Sequence, residues 1–162
     1  MKKLRLLVTD VCNRQCAGCC NKDWDLDALP VCKDFTGYDE IMLTGGEPML
    51  FPGKVAGVIR EIRKVNTQAK VILYTAKLNK NIFTVLHLLQ GLTVTLHEVG
   101  DLKPFFMFER LISSMCSVSV CLRLNVFKGI EAPYAPKWKI KDNIEWIKDC
   151  PLPKNEEFMR YE

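Results

Sequence analysis

The sequence predicts an α/β protein built on a parallel β-sheet, because short apolar strands alternate with amphipathic helical segments. A complete eightfold β/α barrel needs about 250 residues, whereas this chain has 162. We therefore expect a partial, open parallel β/α barrel, or a wound sheet, of five to six strands. Five strands are visible in the sequence: Lys3–Val11, Glu40–Thr44, Lys70–Thr75, Leu92–His97 and Val118–Phe127.

Helical segments separate most of these strands. In Phe51–Val65 the apolar residues recur three and four positions apart with charged residues between them, which predicts an amphipathic helix. Asn81–Gln90 and Lys103–Met115 are the other two helical candidates. Since two parallel strands can be joined only by a long crossover, this alternation favours a parallel sheet over an antiparallel one.

The segment after Gly129 has a different character. Prolines punctuate it, and it contains one predicted helix, Lys141–Lys148. No repeat, low-complexity tract or linker interrupts the chain. The sequence therefore predicts a single domain, 1–162, in which residues 129–162 form a capping tail that wraps the sheet.

Composition limits the classes of function. Apolar residues make up 48% of the chain and charged residues 26%, which is typical of a folded domain with a substantial core. A net charge of +4 is too small to indicate nucleic-acid binding. No apolar run approaches the roughly 18 to 20 residues that span a bilayer, and no export signal is visible. We expect a cytoplasmic protein without membrane contact.

The cysteines are distributed unevenly. Four of the eight fall within nine residues, and Cys12, Cys16 and Cys19 have the spacing C-x3-C-x2-C directly after the first strand. Three thiolates on so short a loop can meet at one metal centre, whereas a structural zinc ion requires four ligands. A [4Fe–4S] cluster held by three cysteines leaves one iron open to a substrate or cosubstrate. This motif therefore predicts an iron–sulfur cluster.

A zinc site is the alternative from another functional class. Cys32 would complete a four-thiolate zinc shell with the three cysteines of the motif, and the protein would then be a non-catalytic zinc-binding module. Disulfide bonds are less expected in a chain of this size without an export signal. The cysteines outside the motif are otherwise predicted to be buried free thiols: Cys20, Cys32, Cys116, Cys121 and Cys150.

A second motif follows the second strand. Gly45-Gly46-Glu47-Pro48, together with the C-x3-C-x2-C loop, resembles the radical S-adenosylmethionine (SAM) superfamily, whose fold is a partial α/β barrel. The resemblance implies that Cys12, Cys16 and Cys19 hold a [4Fe–4S] cluster and that the backbone of residues 45–48 binds the amino group of SAM. It also implies an oxygen-sensitive oxidoreductase that cleaves SAM reductively to a 5′-deoxyadenosyl radical, which abstracts hydrogen from a substrate.

Further SAM contacts are implied on the last two predicted strands. Thr95 with His97, and Arg123 with Asn125, occupy positions where the family places polar residues near the sulfonium and the ribose. Each pair alternates along its strand, so its two side chains share one face of the sheet. The alternatives are a solvent-facing polar row and, for His97, a histidine whose ring is already hydrogen-bonded at a strand end.

The cysteine loop also suggests a subfamily. Gly18 before the third cysteine, and Asn21, Lys22 and Trp24 after it, are similar to the activating proteins of anaerobic ribonucleotide reductase. This resemblance implies an external electron donor of the flavodoxin or ferredoxin kind. An open barrel also leaves a wide mouth, which favours a protein or peptide substrate, such as a glycyl radical enzyme, over a small molecule. Modification of a small molecule or nucleotide remains the alternative, because residues 94–97 and 122–126 resemble the corresponding segments of radical SAM enzymes of that kind.

Overall fold

One open, all-parallel sheet organises the protein, which is described here by a computed structural model covering residues 1–115 and 119–162. The described residues form seven strands, whose order across the sheet is β6-β5-β4-β3-β2-β1-β7. The strands are β1 (Lys3–Thr9), β2 (Glu40–Gly45), β3 (Lys70–Thr75), β4 (Gly91–Leu96), β5 (Cys121–Phe127), β6 (Lys139–Ile144) and β7 (Glu156–Arg160).

The helices lie on one face of this sheet. Within the described ranges they are α1 (Pro52–Val65), α2 (Phe83–Leu86) and α3 (Leu102–Ser113), accompanied by short 3-10 turns. From β1 to β6 each strand is added on the same side of the previous one. Because crossovers between parallel strands are right-handed, such an order places every connecting helix on the same face. None of the helices in the described part of the chain is long and apolar enough to cross a membrane.

Alternation along the strands separates a core face from an open face. Leu122, Leu124 and Val126 of β5 are buried in the core shared with the helices, whereas the residues between them are only partly buried. Neighbouring strands place residues of the same face side by side. In the pairing of β1 with β2, Leu4 lies beside Ile41 and Arg5 lies beside Met42. The face opposite the helices carries polar side chains such as Arg5 and Asn125, and a small second apolar cluster of Leu7, Leu29 and Phe158 covers part of it.

The parallel α/β sheet is confirmed, with three differences in the elements. Seven described strands exceed the five to six predicted, because the tail contributes β6 and β7 at opposite edges of the sheet. The predicted helix Lys141–Lys148 is wrong: residues 139–144 pair with β5 instead. The start of the predicted strand at Val118 lies outside the described residues.

The helix predicted at Asn81–Gln90 is also shorter than expected. Only a 3-10 turn, Lys80–Ile82, and the four-residue α2 form there. Gln90 explains the early end, because its backbone N–H donates to the Val71 carbonyl and its side-chain oxygen accepts from the Val71 N–H, each at 3.0 Å. The sheet thus uses Gln90 for strand pairing, and the chain cannot remain helical up to that residue.

Candidate functional site

A cavity of about 350 Å³ lies where the carboxyl ends of the strands meet. The loops after β1, β2 and β3, the ends of β4 and β5, and the segment after β6 all contribute to its wall. Its volume falls in the range of small-molecule binding sites. Ligands of open parallel sheets bind at this end of the strands, so the cavity is the candidate functional site.

The three cysteines of the motif line this cavity as free thiols. Cys12 is exposed, whereas Cys16 and Cys19 are partly buried. Burial raises the pKa of the Cys16 thiol, the neighbouring Cys19 raises it further, and the positive charge of Arg14 acts in the opposite direction. The loop is held in shape by Lys22, whose Nζ donates to the Cys16 carbonyl at 2.8 Å. Because both Cys19 and Cys12 raise the pKa of Cys16, the three thiols lie close enough to influence one another electrostatically.

Arg14 anchors the cysteine loop to the end of β4. Its guanidinium forms a two-pronged ion pair with the carboxylate of Asp101, whose side chain is only 5% exposed. The same carboxylate accepts the backbone N–H groups of His97 at 2.7 Å and Glu98 at 3.2 Å. One buried carboxylate thus joins the loop after β1 to the loop after β4.

This carboxylate should make stability depend on acid. Burial alone would raise the pKa of Asp101, but the hydrogen bonds from Arg14 and from the His97 and Glu98 backbones outweigh it, so the folded pKa is lowered. A lowered folded pKa stabilises the protein above the unfolded value of about 3.9, and that contribution is lost as pH falls below it. Asp101→Asn should cost about 3 kcal/mol at pH 7, because it leaves Arg14 without its partner.

Urea unfolding of the wild type and of Asp101→Asn, measured from pH 7 to pH 3, tests this expectation. The difference in unfolding free energy between the two proteins should shrink as the pH falls below about 4, where the Asp101 carboxylate of the unfolded wild type becomes protonated first. A difference that stays constant over the whole range would contradict the assigned role of Asp101.

The Gly45–Pro48 segment packs directly against the end of β1. Gly46 N–H donates to the Thr9 carbonyl at 2.7 Å, and Glu47 N–H donates to the Val11 carbonyl at 2.8 Å. Gly45 has φ +139°, a conformation that favours glycine. The Gly45 carbonyl accepts from the Asn21 amide at 2.8 Å, while the Gly46 carbonyl accepts no hydrogen bond from the described residues. That oxygen is available to a ligand donor such as an ammonium group.

The Glu47 side chain has a structural role that the motif alone did not indicate. It is 3% exposed. One carboxylate oxygen accepts from Met49 N–H at 2.9 Å and from the Thr75 hydroxyl at 2.6 Å, and the other accepts from Ala76 N–H at 2.9 Å. Glu47 therefore joins the loop after β2 to the end of β3, and both of its carboxylate oxygens accept hydrogen bonds within the protein.

Glu47→Gln should destabilise the fold, because the amide NH2 group replaces an acceptor that faces a donor. A buried donor left without its acceptor costs about 1–3 kcal/mol. Glu61→Gln removes the same charge from an exposed position on α1 and is the matched control, with an expected change within about 0.5 kcal/mol. Equal unfolding free energies for the two variants in urea would argue against this role of Glu47.

The polar residues predicted on β4 and β5 divide into two groups. Thr95 and Asn125 lie side by side in the register and line the cavity, with the Asn125 amide 3.5 Å from the Thr95 hydroxyl. Arg123 shares this face but lies farther from the carboxyl end and does not line the cavity. Its surroundings include Cys121, Tyr74 and Glu40, which favour its positive charge against the opposing effect of burial.

Aromatic rings form one wall of the cavity. His97 lies 5.0 Å from Phe127 and 5.4 Å from Trp146, the latter at an interplanar angle of 15°. Burial and the charge of Arg14 lower the pKa of His97, which favours the neutral ring. His97 Nδ1 is buried without a hydrogen-bond partner among the described residues. The alternative of a ring already satisfied at a strand end is therefore wrong.

The opposite part of the cavity is also aromatic. Trp24 packs edge-on against Phe158 of β7 with ring centroids 5.3 Å apart, and the Arg5 guanidinium lies 5.8 Å from the Phe158 centroid. The Trp24 indole N–H is buried and has no acceptor in the described part of the chain. The side chains of Trp24, Phe158 and Arg5 all line the cavity. The Trp24 indole N–H is therefore a donor that is available to a bound ligand.

The remaining cysteines differ from expectation in one respect. Cys20 and Cys150, predicted to be free thiols, form a disulfide, and both line the cavity. Cys121 is a free, partly buried thiol, and Cys32 is a buried one. Cys116 lies outside the described residues. A pairing across 130 residues leaves no local trace in the sequence, so spacing could not have revealed it.

Cys32 does not join the cysteine loop. It is 7% exposed in the hydrophobic core, its Sγ donates to the Asp34 carbonyl at 3.3 Å, and it does not line the cavity. The zinc alternative therefore lacks its fourth ligand. No group of three or more His, Cys, Asp or Glu in residues 1–115 and 119–162 converges on the position of a single ion. A cluster has a different requirement, because each thiolate binds a separate iron at its own corner.

The donor set fits such a cluster and its cosubstrate. Three free thiols, the unpaired Gly46 carbonyl and two unpartnered ring N atoms, of Trp24 and His97, surround one cavity. Sequence reasoning missed Arg14, Asp101 and Trp146. The position of Arg14 between two motif cysteines was a usable signal, whereas Asp101 and Trp146 reach the cavity only through the fold. No protein-family model and no curated protein matches this chain.

Proposed function

We propose that the protein is a radical SAM enzyme with a partial β/α barrel, in which Cys12, Cys16 and Cys19 hold a [4Fe–4S] cluster. The observation that carries the proposal is that these three free thiols and the Gly45–Pro48 backbone line one cavity at the carboxyl ends of the strands. The one-directional order from β1 to β6 and the single helical face are typical of a barrel that has not closed.

The chain's own residues would bind the cosubstrate and exclude water. When bound, the cluster supplies the electron that cleaves SAM to methionine and a 5′-deoxyadenosyl radical able to abstract hydrogen from a substrate. The Gly46 carbonyl would accept a hydrogen bond from the SAM amino group, and Thr95 and Asn125 would bind polar groups of SAM. The rings of His97, Phe127 and Trp146 shield the reacting atoms from solvent. Arg123 lies outside the cavity wall, and its contact with SAM stays a prediction.

A protein or peptide is the substrate class we propose. Val11, Phe51 and Ile147 have exposed fractions of 49%, 41% and 64%, although they adjoin the two motifs and the cavity. Exposed apolar side chains around a binding site favour contact with a macromolecule. An electron donor of the flavodoxin or ferredoxin kind belongs to the same proposal. The proposal also includes a cytoplasmic location, because a cluster of low reduction potential requires reducing surroundings.

Anaerobic purification followed by metal analysis, Mössbauer spectroscopy and product analysis tests the proposal. We expect brown protein with about four irons per chain, a number set by the cluster type, and formation of 5′-deoxyadenosine from SAM after addition of dithionite. A colourless protein with one tightly bound zinc would overturn the proposal, as would a cluster with four protein ligands. Deuterium transfer from a labelled glycine-containing peptide into 5′-deoxyadenosine would identify the substrate class, and transfer from a labelled small molecule instead would contradict it.

A further inference from the structure

A covalent bond crosses the rim of the cavity. Cys20 directly follows the last motif cysteine, and Cys150 lies in the tail. Their Cα atoms are 5.5 Å apart although 130 residues separate them in the chain. The disulfide therefore connects the loop after β1 to the segment after β6, from opposite ends of the sequence and beside the proposed cluster site.

Residues 145–150, here named the tail strap, form the wall next to this disulfide. Trp146 stacks on His97 and lies 4.6 Å from Phe127, centroid to centroid. It also covers Gly18, where an added Cβ would lie 2.6 Å from Trp146 Cβ. Ile147 also lines the cavity. Moving the tail strap would consequently open the cavity on this side.

Few other interactions hold the tail strap. Residues 145–149 are exposed, and between residues 145 and 152 no backbone hydrogen bond connects to the rest of the described chain. Glu145 pairs with Lys128, but both side chains are about two-thirds exposed, and such surface pairs contribute little. Asp149 and Cys150 have φ of 60° and 36°, a region that L-residues rarely adopt. The disulfide and the stacking of Trp146 are thus the main restraints.

We propose that Cys20 and Cys150 form a redox-reversible thiol pair that closes the tail strap when oxidised and releases it when reduced. The reductant is a dithiol. One of its thiolates attacks a sulfur of the Cys20–Cys150 bond to give a mixed disulfide, and its second thiol then displaces the cysteine. The dithiol becomes a disulfide, and its two electrons and two protons end on the Cys20 and Cys150 thiols. Oxidation by a small-molecule disulfide reverses both steps.

The consequence for the site rests on the proposed function. Reducing conditions, which radical SAM chemistry requires, would also release Trp146 from Gly18 and widen the mouth for a large substrate. Oxidising conditions would close the wall over an oxygen-sensitive cluster. Because disulfides are rare in reducing compartments, the open form would be the working form, and the closed form would protect the site.

Fluorine NMR of the full chain labelled with 5-fluorotryptophan tests the thiol pair without measuring activity. The resonances of Trp24, Trp138 and Trp146 are assigned with W146F and W24F. Across a series of reduced to oxidised dithiothreitol, the Trp146 resonance should shift toward that of solvent-exposed tryptophan on reduction. Trp138, buried in the core at 4% exposure, should not move. Mass mapping of peptides measures the Cys20–Cys150 linkage in the same samples.

Two variants make the outcome decisive. C150S should show the reduced Trp146 resonance at every redox ratio, whereas C121S, which removes another partly buried cysteine, should titrate like the wild type. An unlinked Cys20–Cys150 pair in the oxidised sample, or the same Trp146 shift in oxidised, reduced and C150S protein, would overturn the proposal. The redox titration is repeated in the triple variant C12S/C16S/C19S, which lacks the proposed cluster ligands. If the Trp138 resonance shows that the triple variant is misfolded, the single variant C16S is used instead. A thiol switch that persists there stands even if the protein binds no cluster.

Discussion

Replacing Cys16 by serine is expected to abolish binding of the iron–sulfur cluster and, with it, reductive cleavage of SAM. Cys16 lies between Cys12 and Cys19 in the loop, and all three thiols line one cavity. A serine hydroxyl is a far weaker ligand for iron than a thiolate, and two remaining thiolates do not hold a cubane cluster. Iron content, the visible absorption of the cluster and the yield of 5′-deoxyadenosine from SAM should all fall to background.

Cys121→Ser is the matched control for this change. Cys121 is also a free, partly buried cysteine, but it lies on β5 outside the cavity wall. We expect it to retain iron and SAM cleavage at wild-type levels. If Cys16→Ser bound as much iron as Cys121→Ser after anaerobic reconstitution, the three-thiol assignment would be wrong.

Gly46→Ala is expected to destabilise the fold strongly although it removes no functional group. An added Cβ at Gly46 would collide with the Val11 carbonyl oxygen and lie 2.6 Å from the Asp10 carbonyl oxygen. Both are backbone atoms, which cannot rotate away as a side chain could. Relief would require separation of the two loops and loss of the Gly46–Thr9 and Glu47–Val11 hydrogen bonds. Destabilisation should therefore reach about 3 kcal/mol, the upper part of the range for overpacking.

Gly57→Ala adds the same methyl group and should have the opposite sign. Gly57 lies inside α1, and an added Cβ there meets no atom within 4 Å. Alanine in a helix interior stabilises by about 0.5–1 kcal/mol relative to glycine. Urea unfolding of both variants measures the contrast. Similar free energies for the two would show that the close approach of the loops after β1 and β2 does not constrain residue 46.

Strong local patterns explain which parts of the fold were predictable. β3 was predicted at Lys70–Thr75 and is found there, because its apolar run is bounded by polar residues on both sides. The edge strand β6 could not be predicted in this way, since its sequence is mostly exposed and polar and its pairing comes from β5. In such a segment the neighbouring strand decides the conformation, and the local periodicity carries little information.

The candidate site shows the same division. The rule that loops after parallel strands meet at one edge predicted that the cysteine loop and Gly45–Pro48 would lie together, and both line one cavity. Alternation predicted that Arg123 and Asn125 share a face, and the burial pattern of β5 confirms this. It could not tell how deep along the strand the cavity extends, and Arg123 lies outside the cavity wall. The contacts of Asp101, Trp146 and Cys150 depend on tertiary packing, which no spacing in the sequence encodes.

The position of β7 beside β1 has a consequence for biosynthesis. Five register pairs join Lys3–Leu7 to Glu156–Arg160, so β1 waits for β7, the last of the described strands in chain order, before its second edge is covered. Until then β1 is an edge strand whose backbone N–H and C=O groups are unpaired on one side, and such apolar edges promote self-association. This part of the sheet should accordingly be completed late in folding, and chaperone binding during synthesis would concentrate on β1.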